Sequence, residues 1–250
     1  DSSRPYITNT YIDYNKKGTG FRVGNISENL EVIVNGRGVK TYLENEKKTK
    51  RFEIGWADKN YNLLGDRFRT NEGAAYTLFA KTNLAAWRDG LYSGTILYDR
   101  SPHDNAESVL AMNELNFQWA KGIVAGFEYG FGLTEPLINE HNDPLKPSAA
   151  LGYKMSGTIG GYTFNSNNFF SSGYYPGIRR GVVQLNERIG RQIKKANVWL
   201  GYSFYRYNPK YHDERFTRFS SNLSNSTLES GTFFNITHNM SAGVSAKYQT

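Results

Sequence analysis

Hydrophobic and polar positions alternate along residues 122–133, which read GIVAGFEYGFGL. Successive side chains of a β-strand point to opposite faces, so this alternation predicts a strand with one apolar and one mostly small or charged face. The apolar positions are Ile123, Ala125, Phe127, Tyr129, Phe131 and Leu133, and the positions between them are Val124, Gly126, Glu128, Gly130 and Gly132.

The same alternation recurs along most of the chain. It is found in residues 51–58, 109–119, 149–155, 182–193, 198–207 and 244–248. None of these windows has the 3.6-residue period of an amphipathic helix. We therefore expect an all-β fold with about 12–14 strands.

Two kinds of connection separate the predicted strands. Short ones lie at residues 120–122 and 194–197, and longer polar ones at residues 99–107, 138–147, 165–177 and 208–214. Strands of about 9–12 residues joined alternately by short turns and long loops are typical of an antiparallel up-and-down transmembrane β-barrel.

Two folds can accommodate such two-faced strands. In a soluble sandwich the apolar faces pack together inside, whereas in a membrane barrel they face lipid and the polar faces line a wet lumen. The predicted strands reach the length of a tilted bilayer crossing, and their polar faces carry Glu114, Lys154 and Arg188, which a filled core does not accept. We favour the barrel and keep the sandwich as the alternative.

The composition supports a single envelope domain. The chain has 250 residues with no break in composition, which predicts one β-barrel domain over residues 1–250 or a part of a longer barrel. It begins at Asp1 without a methionine or a signal peptide, so we interpret it as a mature form or a fragment. Hydrophobic residues make up 38% and aromatic residues 15%, and mean hydropathy is −0.61. No apolar run reaches the about 18 residues of a transmembrane helix.

Charge and cysteine usage exclude several classes. There is no cysteine, which excludes a disulfide scaffold and thiolate metal sites. The net charge is +7, but no block of like charges appears, so we expect no nucleic-acid partner. His103, His141, His212 and His238 lack metal-site spacing, so we expect no metal and no cofactor.

We expect no catalytic activity. No nucleophile elbow and no phosphate-binding glycine pattern occurs in the sequence. Asp99, His103 and Asp104 could be arranged as a hydrolase site at the outer rim, but an outer loop contains Asp and His in any case. We therefore interpret them as ordinary loop residues and keep the rim enzyme as a minor alternative.

As a whole, the chain resembles a bacterial outer-membrane β-barrel of the porin or channel type. Residues 21–43 are also similar to early barrel strands of fimbrial ushers and of large Bacteroidetes-type barrels, at Arg22, Gly24, Asn25, Arg37, Gly38 and Val39. The resemblance implies an outer-membrane location with the lipid bilayer and lipopolysaccharide as partners. Such barrels usually end in an aromatic residue, but this chain ends AKYQT.

The parity of charged residues predicts which of them line the pore. The polar faces carry both signs, which suggests cross-strand ion pairs, and the net positive balance predicts a modest preference for anions. The predicted pore-lining residues are Lys40, Glu53, Glu114, Glu128, Lys154, Arg188 and Lys247.

Residues 168–181 form the most unusual segment. It combines four aromatic residues with two arginines in a setting of Gly, Ser and Pro, at Phe169, Phe170, Tyr174, Tyr175, Arg179 and Arg180. One interpretation is a loop that folds into the lumen or contacts a partner; the other is an interfacial aromatic belt with a basic rim.

Three functions remain. The first is an outer-membrane channel that passes small polar, and by its charge anionic, solutes. The second is a translocation or secretion pore for a polypeptide, or part of one. The third is a soluble β-sandwich adhesin or binding protein. The solute, the bore and the oligomeric state do not follow from the sequence.

Overall fold

The computed structural model describes residues 7–59, 63, 74–86, 88–138, 143–212, 222–235 and 240–250. These residues form fourteen strands in one sheet, and each strand pairs antiparallel with the next one along the chain. The fold is therefore the predicted all-β up-and-down arrangement. No helix in the described residues is long and apolar enough to cross a membrane.

The strands have the following bounds: β1 Tyr11–Lys16, β2 Thr19–Asn29, β3 Ile33–Glu44, β4 Lys50–Asp58, β5 Tyr76–Ala86, β6 Gly90–Ser101, β7 Ala106–Ala120, β8 Ile123–Pro136, β9 Lys146–Ile159, β10 Tyr162–Ser171, β11 Val182–Ile193, β12 Ala196–Tyr207, β13 Leu223–Asn235 and β14 Ser241–Gln249. A single 3-10 turn, Pro102–Asp104, joins β6 to β7.

The two ends of the sheet differ in their connections. Connections after β7, β9 and β11 are tight turns, whereas those after β4, β8, β10 and β12 are long. Left-handed residues close the tight turns, with φ of 77° at Gly122 and 51° at Lys194. We call the two ends the turn end and the loop end.

Apolar side chains lie on the outer, convex face of the sheet. In β8 the exposed fraction is 45% for Phe127 and 63% for Phe131, whereas Glu128 between them is 5% exposed. Ile54 in β4 and Leu200 in β12 are each 49% exposed. Because these large apolar residues face outwards and all fourteen strands belong to one sheet, the structure is not a sandwich of two packed sheets.

The sheet curves around its polar face. Arg179, in the connection after β10, contacts Glu31, in the connection after β2, although 148 residues separate them. Buried apolar residues on this concave side form one cluster that includes Ile26, Phe79 and Tyr175. β1 and β14 are the two edges of the sheet and do not pair with each other in the described structure.

The prediction of a loop at residues 165–177 is wrong for the first half of that segment. Residues 165–171 of the predicted 165–177 loop belong to strand β10, where they pair with β9 and β11. Their Asn and Ser side chains are typical of loops, but here Ser166 and Asn168 hydrogen-bond to Glu187 of the next strand. Phe169 and Phe170 consequently lie in a strand, on opposite faces.

Candidate functional site

Residues 172–181, which connect β10 to β11, fold onto the concave face; we call them the inward loop. Its base is closed by backbone hydrogen bonds from Gly181 N to Ser172 O at 3.1 Å and from Ser172 N to Ala149 O at 2.9 Å. The Ser171 hydroxyl accepts a hydrogen bond from Val182 N at 2.9 Å. The inward loop is thus fixed at both ends to the wall.

The inward loop rests on a glycine-lined part of β8. Tyr175 is fully buried, and a Cβ added at Gly130 would clash with its hydroxyl. A Cβ added at Gly132 would lie 2.5 Å from Cδ of Pro176. Burial raises the pKa of Tyr175, so its phenol stays neutral. The alternation of glycine with Phe131 therefore allows the loop to lie directly against the wall.

Arg179 joins the inward loop to two other parts of the chain. Its Nη2 lies 2.7 Å from Glu31 Oε2, and its Nη1 lies 3.0 Å from Glu128 Oε1. The guanidinium also sits 3.7 Å above the ring of Phe169. Burial disfavours its charge, but the hydrogen bonds to both carboxylates outweigh burial and raise the pKa of Arg179. The space within the sheet is therefore bridged by an ion-pair cluster.

Glu31 reaches this cluster because its own backbone is also held. Its carbonyl accepts a hydrogen bond from Ile178 N at 3.0 Å, and its carboxylate accepts one from Arg179 N at 3.3 Å. The connection after β2 and the inward loop therefore form one continuous obstruction. It narrows the space enclosed by the concave face, which we call the lumen.

Two further ion-pair chains lie on the lumen wall. Lys40 pairs with Glu28 and, at 3.3 Å, with Glu53, which in turn binds Arg51 at 2.8 Å. On the neighbouring wall, Asp99 accepts hydrogen bonds from Thr77 at 2.6 Å and Lys59 at 2.9 Å. The carboxylates in these chains are thus paired with cations or hydrogen-bonded to hydroxyls.

Several basic residues on the concave side lack an acidic partner. In the described part of the chain, Arg180, Lys146, Arg188 and Lys81 form no ion pair. Three of them lie over aromatic rings instead: Arg180 on Tyr211 at 4.4 Å, Lys146 on Tyr174 at 5.6 Å and Arg188 on Trp199 at 4.1 Å. An aromatic ring does not cancel their charge, so they remain available to an anion.

The structure places the predicted pore-lining residues on the concave parity. Lys40, Glu53 and Glu128 are buried in the ion-pair chains, and Lys154 lies 3.5 Å from Glu114. Arg188 lies opposite Gly201, and Lys247 lies opposite Glu229 near the edge of the sheet.

The aromatic and basic segment predicted at residues 168–181 is divided between strand β10 and the inward loop. Phe169 lies under Arg179, while Phe170 points to the convex face and is 50% exposed. Tyr174, Tyr175, Arg179 and Arg180 belong to the inward loop. Sequence reasoning missed Glu31, and its signal was a lone carboxylate inside the otherwise apolar LEVIV run.

A cavity of about 210 Å³ lies between the inward loop and the wall at the loop end. Its lining carries both signs and includes Lys59, Asp99, Asp104, Ser108 and Arg180. Among the described residues, no group of three or more His, Cys, Asp or Glu could hold a metal. His141 and His238 lie outside the described residues.

No protein-family model and no curated protein matches the chain. It is similar to the solved structure of Pseudomonas aeruginosa OpdK with vanillate, at 11% identity over 96% of this chain and 72% of that one, with a TM-score of 0.52. It is also similar to OpdF from the same organism in complex with glucuronate, at 10% identity over 96% of this chain and 74% of that one, with a TM-score of 0.52. For a BenF-like porin from Pseudomonas fluorescens Pf-5, the identity is 11% over 95% of this chain and 71% of that one, and the TM-score is 0.51.

At these identities the likeness establishes the fold alone. The chain has the up-and-down β-barrel fold of outer-membrane porins, and the resemblance inferred from the strand pattern is confirmed at that level.

The Arg179→Gln substitution tests the ion-pair cluster. Glu31 and Glu128 would lose their shared cation while remaining buried, so we expect the unfolding free energy to fall by about 2 kcal/mol. Arg188→Gln is the matched control, because Arg188 has no hydrogen bond or ion pair to lose in the described structure. Urea unfolding in lipid vesicles measures both variants, and equal losses would contradict the assigned role of Arg179.

The lowered pKa of His212, at the loop end, predicts that the stability of the protein depends on pH. Burial is the main cause that lowers its pKa, and Lys146 and Arg180 lower it further. A native pKa below the unfolded value means that its contribution to stability is complete above about pH 6.5 and declines as the pH falls. Urea unfolding between neutral and acid pH should therefore show a shallower decline for His212→Gln. An equal decline of stability with falling pH in the wild type and in His212→Gln would contradict this prediction.

Proposed function

We propose that this chain is an outer-membrane channel that passes small polar solutes with a preference for anions. The observation that carries the proposal is a wall with apolar residues outside and a narrowed polar lumen inside, in which most acids are paired and several cations are not. No catalytic group and no cofactor is needed for this function.

The convex face supports a location in the membrane. Its exposed residues include Ile96, Phe131, Leu151 and Ile54, which would be poor neighbours for water but suit acyl chains. The lipid bilayer and lipopolysaccharide are then the surroundings of the wall. In barrels of this type long loops face the outside and short turns the periplasm, so the inward loop enters the lumen from outside.

Unpaired cations support the preference for anions. Lys146 and Arg180 lie at the loop end, and Arg188 and Lys81 lie further along the wall, so an anion meets positive charge on both sides of the obstruction. Vanillate and glucuronate, bound by two structures of similar fold, are both ring compounds with a carboxylate. A guanidinium fork binds a carboxylate through two parallel hydrogen bonds.

The inward loop argues against a polypeptide pore. Tyr175 is buried against β8, and Arg179 bridges to the connection after β2, so these two segments together cross the lumen. An extended chain with side chains would have to displace this bridge. A small solute would not.

Ion selectivity tests the proposal in planar bilayers. In a salt gradient the wild-type channel should show a reversal potential of the sign expected for anions. Arg180→Gln together with Arg188→Gln should shift this potential towards zero, whereas Arg191→Gln, on the convex parity of β11, should not. Clear cation selectivity of the wild type would refute the anion preference, and no conductance would refute the channel.

A charge on the convex face tests the membrane location. Leu151 lies in the middle of β9 and is 62% exposed, so Leu151→Arg should lower stability in vesicles by about 2–4 kcal/mol. Ser156→Arg is the control on the same strand, because Ser156 is exposed on the concave face. Retained heat-modifiability on gels reports folding, and equal effects of the two substitutions would count against lipid contact.

A further inference from the structure

The convex face is not uniform around the sheet. From β4 to β9 most of its residues in mid-strand are apolar or aromatic, for example Ile54, Leu78, Ile96, Phe127 and Leu151, with Thr82 and Asn113 as polar exceptions. From β10 to β13 the same face carries polar groups at mid-strand positions. These are Ser166, Asn168, Glu187, Tyr202, Ser226, Ser230 and Thr232.

Glu187 is the most unexpected of these residues. It lies in the middle of β11 with exposed Leu185 and Ile189 on the same face, two residues to either side. Its carboxylate accepts hydrogen bonds from Ser166 at 2.9 Å, Asn168 at 2.5 Å and the Tyr153 hydroxyl at 3.4 Å. All three donors are neutral, and no ion pair of Glu187 exists in the described part of the structure.

Other charges on the convex face are paired or lie near strand ends. Arg37 binds Asp58 at 2.9 Å, and Arg100 binds Glu107, in both cases towards the loop end. Glu187 has no ion pair in the described structure and does not lie near a strand end. A carboxylate facing lipid at this depth is unfavourable, and ionisable groups in such positions usually face another protein segment.

Strand β13, which lies two strands beyond β11 in the sheet, carries hydroxyl groups that can donate hydrogen bonds. Ser230 of β13 is exposed on the convex face, so its hydroxyl is accessible to another molecule. Ser226 shares a hydrogen bond with the Thr250 hydroxyl at 2.6 Å. An acceptor on β11 and hydroxyl donors on β13 therefore flank β12.

A two-fold axis parallel to the barrel axis and facing β12 makes these strands complementary. Rotation about this axis brings β11 of one copy to the side of the interface on which β13 of the other lies, where the tilted strands cross. Glu187 is in register with Tyr202 and Leu228, and Ser226 and Ser230 lie two residues to either side of Leu228 on the same face. A closed two-fold interface uses each such contact twice.

We propose that the convex face of β10–β13 is the interface between two copies of this chain, with Tyr202 near the two-fold axis and Glu187 hydrogen-bonded to hydroxyls of the partner's β13. The inference rests on the proposed membrane location, because only in lipid does the outward carboxylate require a protein partner. It assigns no role to the lumen, which each copy retains separately.

Cysteine cross-linking of the full chain in lipid vesicles tests the interface. The native sequence has no cysteine, so a single introduced thiol reports one position. Tyr202→Cys keeps Glu187 and should yield a disulfide-linked dimer under mild oxidation. Tyr129→Cys is the matched control, since Tyr129 lies on the convex face of β8 with 45% exposure against 41% for Tyr202.

A second variant tests the role of the carboxylate. Glu187→Leu in the Tyr202→Cys background removes hydrogen bonds to a charged group, so we expect the cross-linked fraction to fall about tenfold at limiting protein density. The conductance of each copy should stay unchanged, because the lumen wall is untouched.

Three results would overturn the interface. They are no cross-link at Tyr202→Cys, equal cross-linking at Tyr129→Cys, or a cross-link to a different protein. Conductance measured on the same vesicles separates the two proposals. If channels conduct but do not cross-link, only the interface is wrong, whereas a chain that neither inserts nor conducts refutes the proposed function itself.

Discussion

The two-residue period of the β-strand is the constraint on which this structure depends. Because neighbouring side chains must point to opposite faces, a strand such as β8 can present Phe127 outside and Glu128 inside without any further instruction. Fourteen such strands, paired in sequence order, give a wall whose outer face is mostly apolar and whose inner face holds most of the ion pairs. The ion pairs, the inward loop and the lumen all follow from that inversion.

Local pattern predicted most of the fold but only part of the site. Parity alone predicts the strands around Phe127 and Leu200, because that information lies in adjacent residues, whereas the outward orientation of their apolar faces is favoured by strand length and by the charges on the polar faces. The bridge between Glu31 and Arg179 was not predictable, since its partners are 148 residues apart and meet only when the sheet curves. The Asn and Ser side chains of residues 165–171 predict a loop because they are typical of turns, whereas in the structure Glu187 supplies the acceptor for their hydrogen bonds within the sheet.

In the proposed channel, the preference for anions depends on which charges are paired rather than on net charge alone. At the obstruction Arg179 pairs with both Glu31 and Glu128, and Lys154 lies 4.0 Å from Glu128, so the carboxylates there are compensated by nearby cations. The residual positive character comes from residues such as Arg180 and Arg188, which lie over aromatic rings and have no acidic partner in the described structure. A count of charges in the sequence gives the sign of this bias but not its position, which depends on which acids reach which bases.

The glycines of β8 have a consequence for how such a protein can diversify. Gly130 and Gly132 leave room for Tyr175 and Pro176, while the ladder of hydrogen bonds that holds β8 in the sheet does not involve their missing side chains. Exchanging either glycine for a larger residue would push the obstruction away from the wall and change the free cross-section of the lumen, yet the scaffold would keep its register. The free cross-section and the architecture of the wall are thus separately adjustable, because substitutions at two positions can vary the first without altering the second.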